Sequence, residues 1–354
     1  MSIPTSNNKV NLLDLCAAAI ACTVTASKCI QEIAPSKNTR TKADGSFVTD
    51  ADFVAQGVIV QALQSICPTL NIVGEESPEE MKQHEQRDRQ LDRTLWKLSR
   101  NELQCRYFGT GMTHLPLHSK CREGELPAFP DDPEEFLVDP LRLRVIVDPL
   151  DGTKSYTNGD HDAVSILIGF ILDDAPVFGV VGKPFGYTGL SSIRDTGCVT
   201  LYGGTLLRGA FVAGDKIPLS QPNPITPKAV ISASRSKGVV QQFCQYLGEK
   251  GLLAADPLLV PGAGEKSVRI LLSRNDEALW FYPKPGTSLW DVAATDALLR
   301  ALGGKLTDKY GHNMDYSKSR EEAENVDGVV ACMSADLHRQ CIELFAKDNW
   351  NEIP

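Results

Sequence analysis

Acidic residues next to turns carry the chemistry this chain could do. The densest group is Val147-Asp-Pro-Leu-Asp-Gly-Thr153, where Asp148 and Asp151 stand three residues apart. Pro149 between them has no N–H to donate. The apolar residues 143–147 read as a short buried strand that stops at Asp148-Pro149. A tight turn there can aim both carboxylates and the Leu150 carbonyl at one point, the all-oxygen set that a hard cation such as Mg²⁺ prefers. Gly152 permits unusual dihedrals, and the N–H groups of Gly152 and Thr153 could face a phosphate oxygen. A strand-to-turn junction with solvated acids would carry the same letters.

Three further acidic pieces lie far away in sequence. Thr49-Asp-Ala-Asp52 has the shape of a capping box, so Asp52 can cap its own helix. Glu75 and Glu76 follow a short strand at 70–73 and so sit at its carboxyl end. Trp290-Asp291 precedes an apolar-striped helix ended by Gly303-Gly304, where Asp291 is a good N-cap. Asp296, inside that helix, reads as a packing or solvated acid.

The elements that must position these acids are legible in outline. Helices are expected at 11–33 and from Thr49 to 66, with a polar, basic loop at 36–46 between them. Residues 78–141 are charged, then rich in Gly, Pro and acids, and read as a long insertion or lid. Residues 163–172 and 176–181 form a hairpin around Asp173-Asp174. Short strands follow at 198–212, and 216–227 is a linker. Beyond it, strands at 229–232, 258–260, 278–282 and 329–332 alternate with helices at 239–247, 266–273, 291–302 and 335–346. Alternation of this kind signals a layered α/β fold. The expected division is an α+β part, 1–215, holding most of the acids, and an α/β part, 216–354, holding Asp291.

Composition narrows the function. The chain has 354 residues, 36 basic and 45 acidic, for a net charge of −9. That excludes a general binder of nucleic-acid polymers or membrane surfaces. No uninterrupted apolar run approaches the roughly 18 residues of a membrane span. The N-terminus lacks a signal-peptide pattern, so the expectation is a cytoplasmic monomer. Ten cysteines without a C-x-x-C pair are expected to remain thiols.

The order of the pieces is distinctive: T-x-A-D, then G-E-E-S, then D-P-L-D-G-T, then W-D before a helix ending G-G. That set resembles the lithium-sensitive, magnesium-dependent phosphatase superfamily that includes inositol monophosphatase, inositol polyphosphate 1-phosphatase and 3′(2′),5′-bisphosphate nucleotidase. It covers most of the chain apart from 78–141. Asp151-Gly-Thr-Lys-Ser-Tyr156, Gly262-Ala-Gly-Glu-Lys266 and Ala301-Leu-Gly-Gly304 are most similar to the bisphosphate nucleotidases. The resemblance implies a layered αβαβα sandwich of the inositol monophosphatase and fructose-1,6-bisphosphatase type. It implies removal of the 3′-phosphate from 3′-phosphoadenosine 5′-phosphate, leaving AMP. Two or three Mg²⁺ ions would be held by Glu75, Asp148, the Leu150 carbonyl, Asp151 and Asp291. Asp52 and Thr153 would hold and activate the attacking water. Gly152, Thr153, Ser234, Gly262 and Lys266 would contact the substrate, with Lys237 where relatives often place a histidine. The alternatives are an inositol polyphosphate 1-phosphatase using the same metals, or a catalytically silent nucleotide or metal sensor.

Overall fold

A computed structural model describes residues 9–36, 38–42, 45, 47–84, 90–108, 134–193, 196–212, 215–218, 226–348 and 350. Helix α1 (Leu12–Ile33) is capped by the Asn11 side chain, which accepts from Leu13 N–H at 2.9 Å. Helix α2 (Asp50–Gln64) is capped by Thr49. Both pack on one face of a seven-stranded sheet. Residues 39–41, expected in a loop, pair instead with Phe47–Thr49 as a small hairpin that leads into α2. The expected 78–141 insertion contributes α3 (Pro78–Lys82) and α4 (Arg93–Phe108), and α4 packs on α1; its centre, 109–133, lies outside the described residues.

Helix α1 is long and apolar enough to cross a membrane by length and composition, although polar residues interrupt its apolar run. Its most apolar window is 83% buried inside the protein, so packing rather than lipid covers it. Cys16, Cys22 and Cys29 are all buried along it, as are the other described cysteines, and no described cysteine forms a disulfide.

In the seven-stranded sheet, Asn71–Gly74 pairs parallel with Leu143–Asp151, which pairs antiparallel with Ser165–Leu172. Ala175–Lys183, Val199–Gly204, Gly209–Val212 and Asp215–Lys216 continue the sheet. Leu143–Asp151 and Ser165–Leu172 are almost continuously buried because helices cover both faces, which explains their unbroken apolar runs. Asp173 and Asp174 both take left-handed φ, 50° and 60°, as a two-residue hairpin turn requires. The strand at 143 does not stop at Asp148-Pro149. It runs on to Asp151, with its pairing to the neighbouring strand broken between Asp148 and Asp151. Pro149 cannot donate, so the ladder bulges instead of ending.

The short helix α5 (Thr153–Asn158) follows that strand. A second sheet has five strands, ordered Leu258–Val260, Lys228–Ser232, Glu277–Tyr282, Val329–Cys332, Lys305–Thr307. Helix α6 (Val239–Glu249) buries Phe243 against Phe281 of this sheet, at 4.7 Å between ring centroids. Helices α7 (Ala263–Leu272) and α8 (Leu289–Ala301) lie between the two sheets, and α9 (Ala335–Lys347) packs on the second. The layers therefore run αβαβα.

The middle layer sits close to the first sheet because Gly169 and Gly179 have no side chains. A Cβ on Gly169 would lie 2.7 Å from Ala293, and one on Gly179 would lie 2.0 Å from the Ala294 carbonyl oxygen. Two glycines under two alanines thus set the spacing between α8 and the strands that bear the central acids.

Candidate active site

The ends of the strands and the first turns of the helices meet at one place. Asp148, Asp151 and Asp291 each offer a carboxylate oxygen, and these atoms lie within 4.8 Å of one another. Residues 140 positions apart in sequence meet because α8 rests on the sheet at its first two turns. Asp291 is not the N-cap expected from sequence. Ser288 caps α8, and Asp291 is its third residue, its carboxylate accepting the Ser288 N–H. The capping role and the inward-facing oxygen belong to the same side chain.

Asp151 is held by both oxygens. Oδ1 accepts from Ala263 N–H at 3.0 Å and Oδ2 from Gly264 N–H at 2.7 Å, so the start of α7 orients this carboxylate. Gly262, with φ +73°, begins that helix; a Cβ there would stand 3.0 Å from Asp151 Oδ2 and 2.9 Å from the Ala163 carbonyl oxygen. Asp148 Oδ1 accepts from Leu150 N–H at 3.0 Å.

Burial dominates the electrostatics, and mutual repulsion adds to it. The Asp148 carboxyl is pushed well above its ordinary range by burial and then by Glu75, Asp151 and Asp291. Asp291 is pushed up to about 8 by burial and by Asp151. Asp151 is also raised by burial, against the pull of Lys266 and the two amides. Buried acids this close are short of positive charge, and the donors are hard oxygens. The group therefore fits divalent cations of the Mg²⁺ type.

Glu75 lines the same cleft but is not among the three carboxylates that meet; its N–H continues the ladder to Val147 O at 3.0 Å. Gln56 fixes the turn that carries it: the Gln56 amide donates to Glu76 O at 2.7 Å, and its oxygen accepts from Glu76 N–H at 3.0 Å. Lys42 lies 3.0 Å from Glu75 Oε1 and 2.7 Å from Glu76 Oε1. Glu76 is fully shielded, and burial and Glu75 push it up to about 8. Sequence reading put Lys42 in a basic loop and did not see Gln56; neither has a motif to mark it.

Asp52 is completely buried. Its Oδ2 accepts from Thr49 N–H at 2.7 Å and from Thr49 Oγ1 at 2.6 Å, while Oδ1 lies 3.2 Å from Thr153 Oγ1. Burial and the charge of Glu75 push Asp52 up to about 7. Thr153 Oγ1 also lies 3.0 Å from Leu150 O. Thr153 lines the open cleft and Asp52 sits behind it.

That cleft has a volume of about 490 Å³. Glu75, Asp151, Gly152, Thr153 and Asp291 line it together with Ser234, Arg235, Gly262, Lys266 and Thr287. Lys266 is buried in the first turn of α7, where a helix dipole disfavours a cation. Its ammonium donates to Gly262 O and stands 5.1 Å over the Trp280 ring. Burial lowers it to about 8, with Asp151 and Asp291 opposing. Lys237, expected to contact substrate, is exposed and does not line the cleft. The turn after Ser234 carries Lys237 outward and leaves Arg235 at the rim, its guanidinium donating to Gly286 O at 2.6 Å. Phe47, Trp280 and Tyr282 also line the cleft and carried no sequence signal.

Acids gathered in this way, on this five-layered frame, define a phosphatase of the inositol monophosphatase family: residues 115–351 match that family's model, and the chain belongs to it. The family is metal-dependent. The chain is similar to 3′(2′),5′-bisphosphate nucleotidase 1 of Dictyostelium discoideum, 28% identical over 350 residues, covering 95% of this chain and 97% of that protein. Its fold matches inositol monophosphatase II from Staphylococcus aureus MSSA476, with a TM-score of 0.60 at 12% identity over 94% of each chain. It also matches SaIMPase-II with 2′AMP bound, with a TM-score of 0.59 at 13% identity over 94% of each chain.

Proposed function

We propose that this phosphatase removes the 3′-phosphate of 3′-phosphoadenosine 5′-phosphate, giving AMP and inorganic phosphate, with Mg²⁺ required and Li⁺ inhibitory. The observation that carries the reading is the meeting of Asp148, Asp151 and Asp291 beside the Thr153–Asp52 pair at one wall of the cleft. Glu75, Asp148, the Leu150 carbonyl, Asp151 and Asp291 would hold Mg²⁺. Magnesium bound there would neutralise the phosphoryl oxygens, acidify water and stabilise the leaving alkoxide.

The chain's own groups do the rest. Thr153 reaches the cleft and can orient a water molecule. Asp52, which water cannot touch directly, receives the proton through the Thr153 hydroxyl. Burial raises the Asp52 carboxyl, which suits it to take and release a proton near neutral pH. The N–H groups of Gly152 and Thr153, at the start of α5, would donate to the phosphoryl oxygens. Lys266 supplies a cation for a second phosphate, with Ser234 and Gly262 at the same wall. The planar rings of Phe47 and Tyr282 favour a nucleobase over an inositol ring. The nucleotidase named above, aligned along nearly the whole chain, supports the same substrate class.

Phosphate release from 3′-phosphoadenosine 5′-phosphate, 2′-AMP, inositol 1,4-bisphosphate and inositol monophosphate, each with and without Mg²⁺ and Li⁺, tests the reading. The bisphosphorylated nucleotide is expected to give the highest kcat/KM. A preference for inositol 1,4-bisphosphate would transfer the assignment to an inositol polyphosphate 1-phosphatase. Nucleotide binding without turnover would mark a silent sensor.

A further inference from the structure

Behind the cleft, a fully buried ion pair joins two residues that have no place in the reaction. Lys183, at the end of Ala175–Lys183, is 0% exposed, and Glu265, in the first turn of α7, is 3% exposed. Lys183 Nζ lies 2.9 Å from Glu265 Oε2, 2.6 Å from Asp162 O and 3.3 Å from Ser165 Oγ. The other oxygen of Glu265 accepts from Arg269 Nε at 2.8 Å. One ammonium thus ties the turn after α5, the strand beginning at Ser165 and the first turn of α7.

The same turn of α7 orients Asp151. Its N–H groups at Ala263 and Gly264 bind both Asp151 oxygens. Ser165 is the ladder partner of Asp151, and a Cβ on Gly264 would fall 2.8 Å from Ser165 Oγ. Gly262, the N-cap of α7, has no side chain to fix the helix start. Asp151 holds the turn on one side and the tether through Glu265 on the other, beside the packing of α7 on α8 and on Glu277–Tyr282. A buried ion pair is a weak source of stability, since an apolar pair of similar volume serves as well. The directional contacts suit it to holding position.

We propose that the Lys183–Glu265 pair is a positioning device for Asp151: it sets the first turn of α7, and with it the two amides that orient this metal-ligating carboxylate. The inference rests on the metal-dependent reading above.

Calorimetric titration of the full chain with Mg²⁺ alone, beside thermal unfolding, tests it in two variants. Glu265→Gln keeps an acceptor for Lys183 but drops the charge. It is expected to lower the unfolding midpoint while Mg²⁺ affinity stays close to wild type. Lys183→Met/Glu265→Leu removes the tether and leaves no fully buried orphan charge, since Arg269, which loses Glu265, is a third exposed and keeps Glu277 at 3.8 Å. It is expected to keep the midpoint while Mg²⁺ binding weakens about tenfold, as for other groups that orient a ligand. Mg²⁺ affinity that follows the midpoint in both variants, or is unmoved in the double variant, overturns the proposal. If Glu265→Gln does not fold, the double variant decides alone. A wild-type chain that binds no Mg²⁺ would instead overturn the metal-dependent reading itself.

Discussion

Thr153 Oγ1 stands 3.2 Å from Asp52 Oδ1, joining the helix that follows the central acids to the helix capped by Thr49, 101 residues earlier. Only the threonine is open to the cleft. Thr153→Ala should therefore cut the path from water to Asp52 and lower kcat about a hundredfold or more, with little change in KM. Steady-state kinetics on the preferred substrate decide this; a rise in KM at constant kcat would make Thr153 a binding residue only.

Asp148→Asn should abolish Mg²⁺-dependent phosphate release and leave the fold intact. The side chain keeps its shape, and an oxygen can still accept from Leu150 N–H. Removing one of several repelling acids should leave the metal-free melting temperature unchanged or higher. Turnover at the wild-type rate would remove Asp148 from the metal site.

Gly169→Ala should act at a distance. The new methyl would meet Ala293 at 2.7 Å and push α8, and with it Asp291, away from Asp148 and Asp151. A cost of about 1–3 kcal/mol in stability is expected from overpacking. The diagnostic result is weaker Mg²⁺ binding in a folded variant. Unchanged affinity would show that the spacing of α8 from the sheet is not what brings the acids together.

Without metal, stability should fall as pH rises from 6.5 to 8. Asp52 is raised from 3.8 to about 7, Asp291 from 3.8 to about 8 and Glu76 from 4.5 to about 8. A carboxyl raised in the folded state contributes stability that is fully present below its unfolded value and lost as pH rises through its folded value. One such proton gives a slope of about 1.4 kcal/mol per pH unit. Groups lowered in the folded state act in the opposite sense, outside this window. His338, lowered from 6.5 to about 4, acts below 6.5, and Lys266, lowered from 10.5 to about 8, acts above 8. Thermal unfolding in a chelator should show the decline, and saturating Mg²⁺ should flatten it. A midpoint that climbs across the window would contradict the assignment.

Lys266→Ala should raise KM for a bisphosphorylated nucleotide about tenfold, the scale of one hydrogen bond to a charged group. Lys237→Ala should leave it unchanged, because that side chain lies outside the cleft. Equal effects from the two substitutions would restore Lys237 to the substrate wall.

The sequence by itself determined most of the elements and the chemistry of the central acids. Local rules suffice there: Thr49 opens α2, the strand at 258–260 and the hairpin at Asp173-Asp174 are set by short-range patterns, and two aspartates around Pro149 mark an oxygen-rich turn. Tertiary structure alone decided which side chains meet. Lys42 on Glu75, Gln56 on Glu76, Arg235 on Gly286 and Lys183 under α7 are contacts between segments remote in sequence, and no spacing encodes them. The same holds for Asp291, whose sequence marks only a helix start. Its approach to Asp148 and Asp151 depends on how closely α8 can lie on the sheet, and two absent side chains, at Gly169 and Gly179, permit that distance.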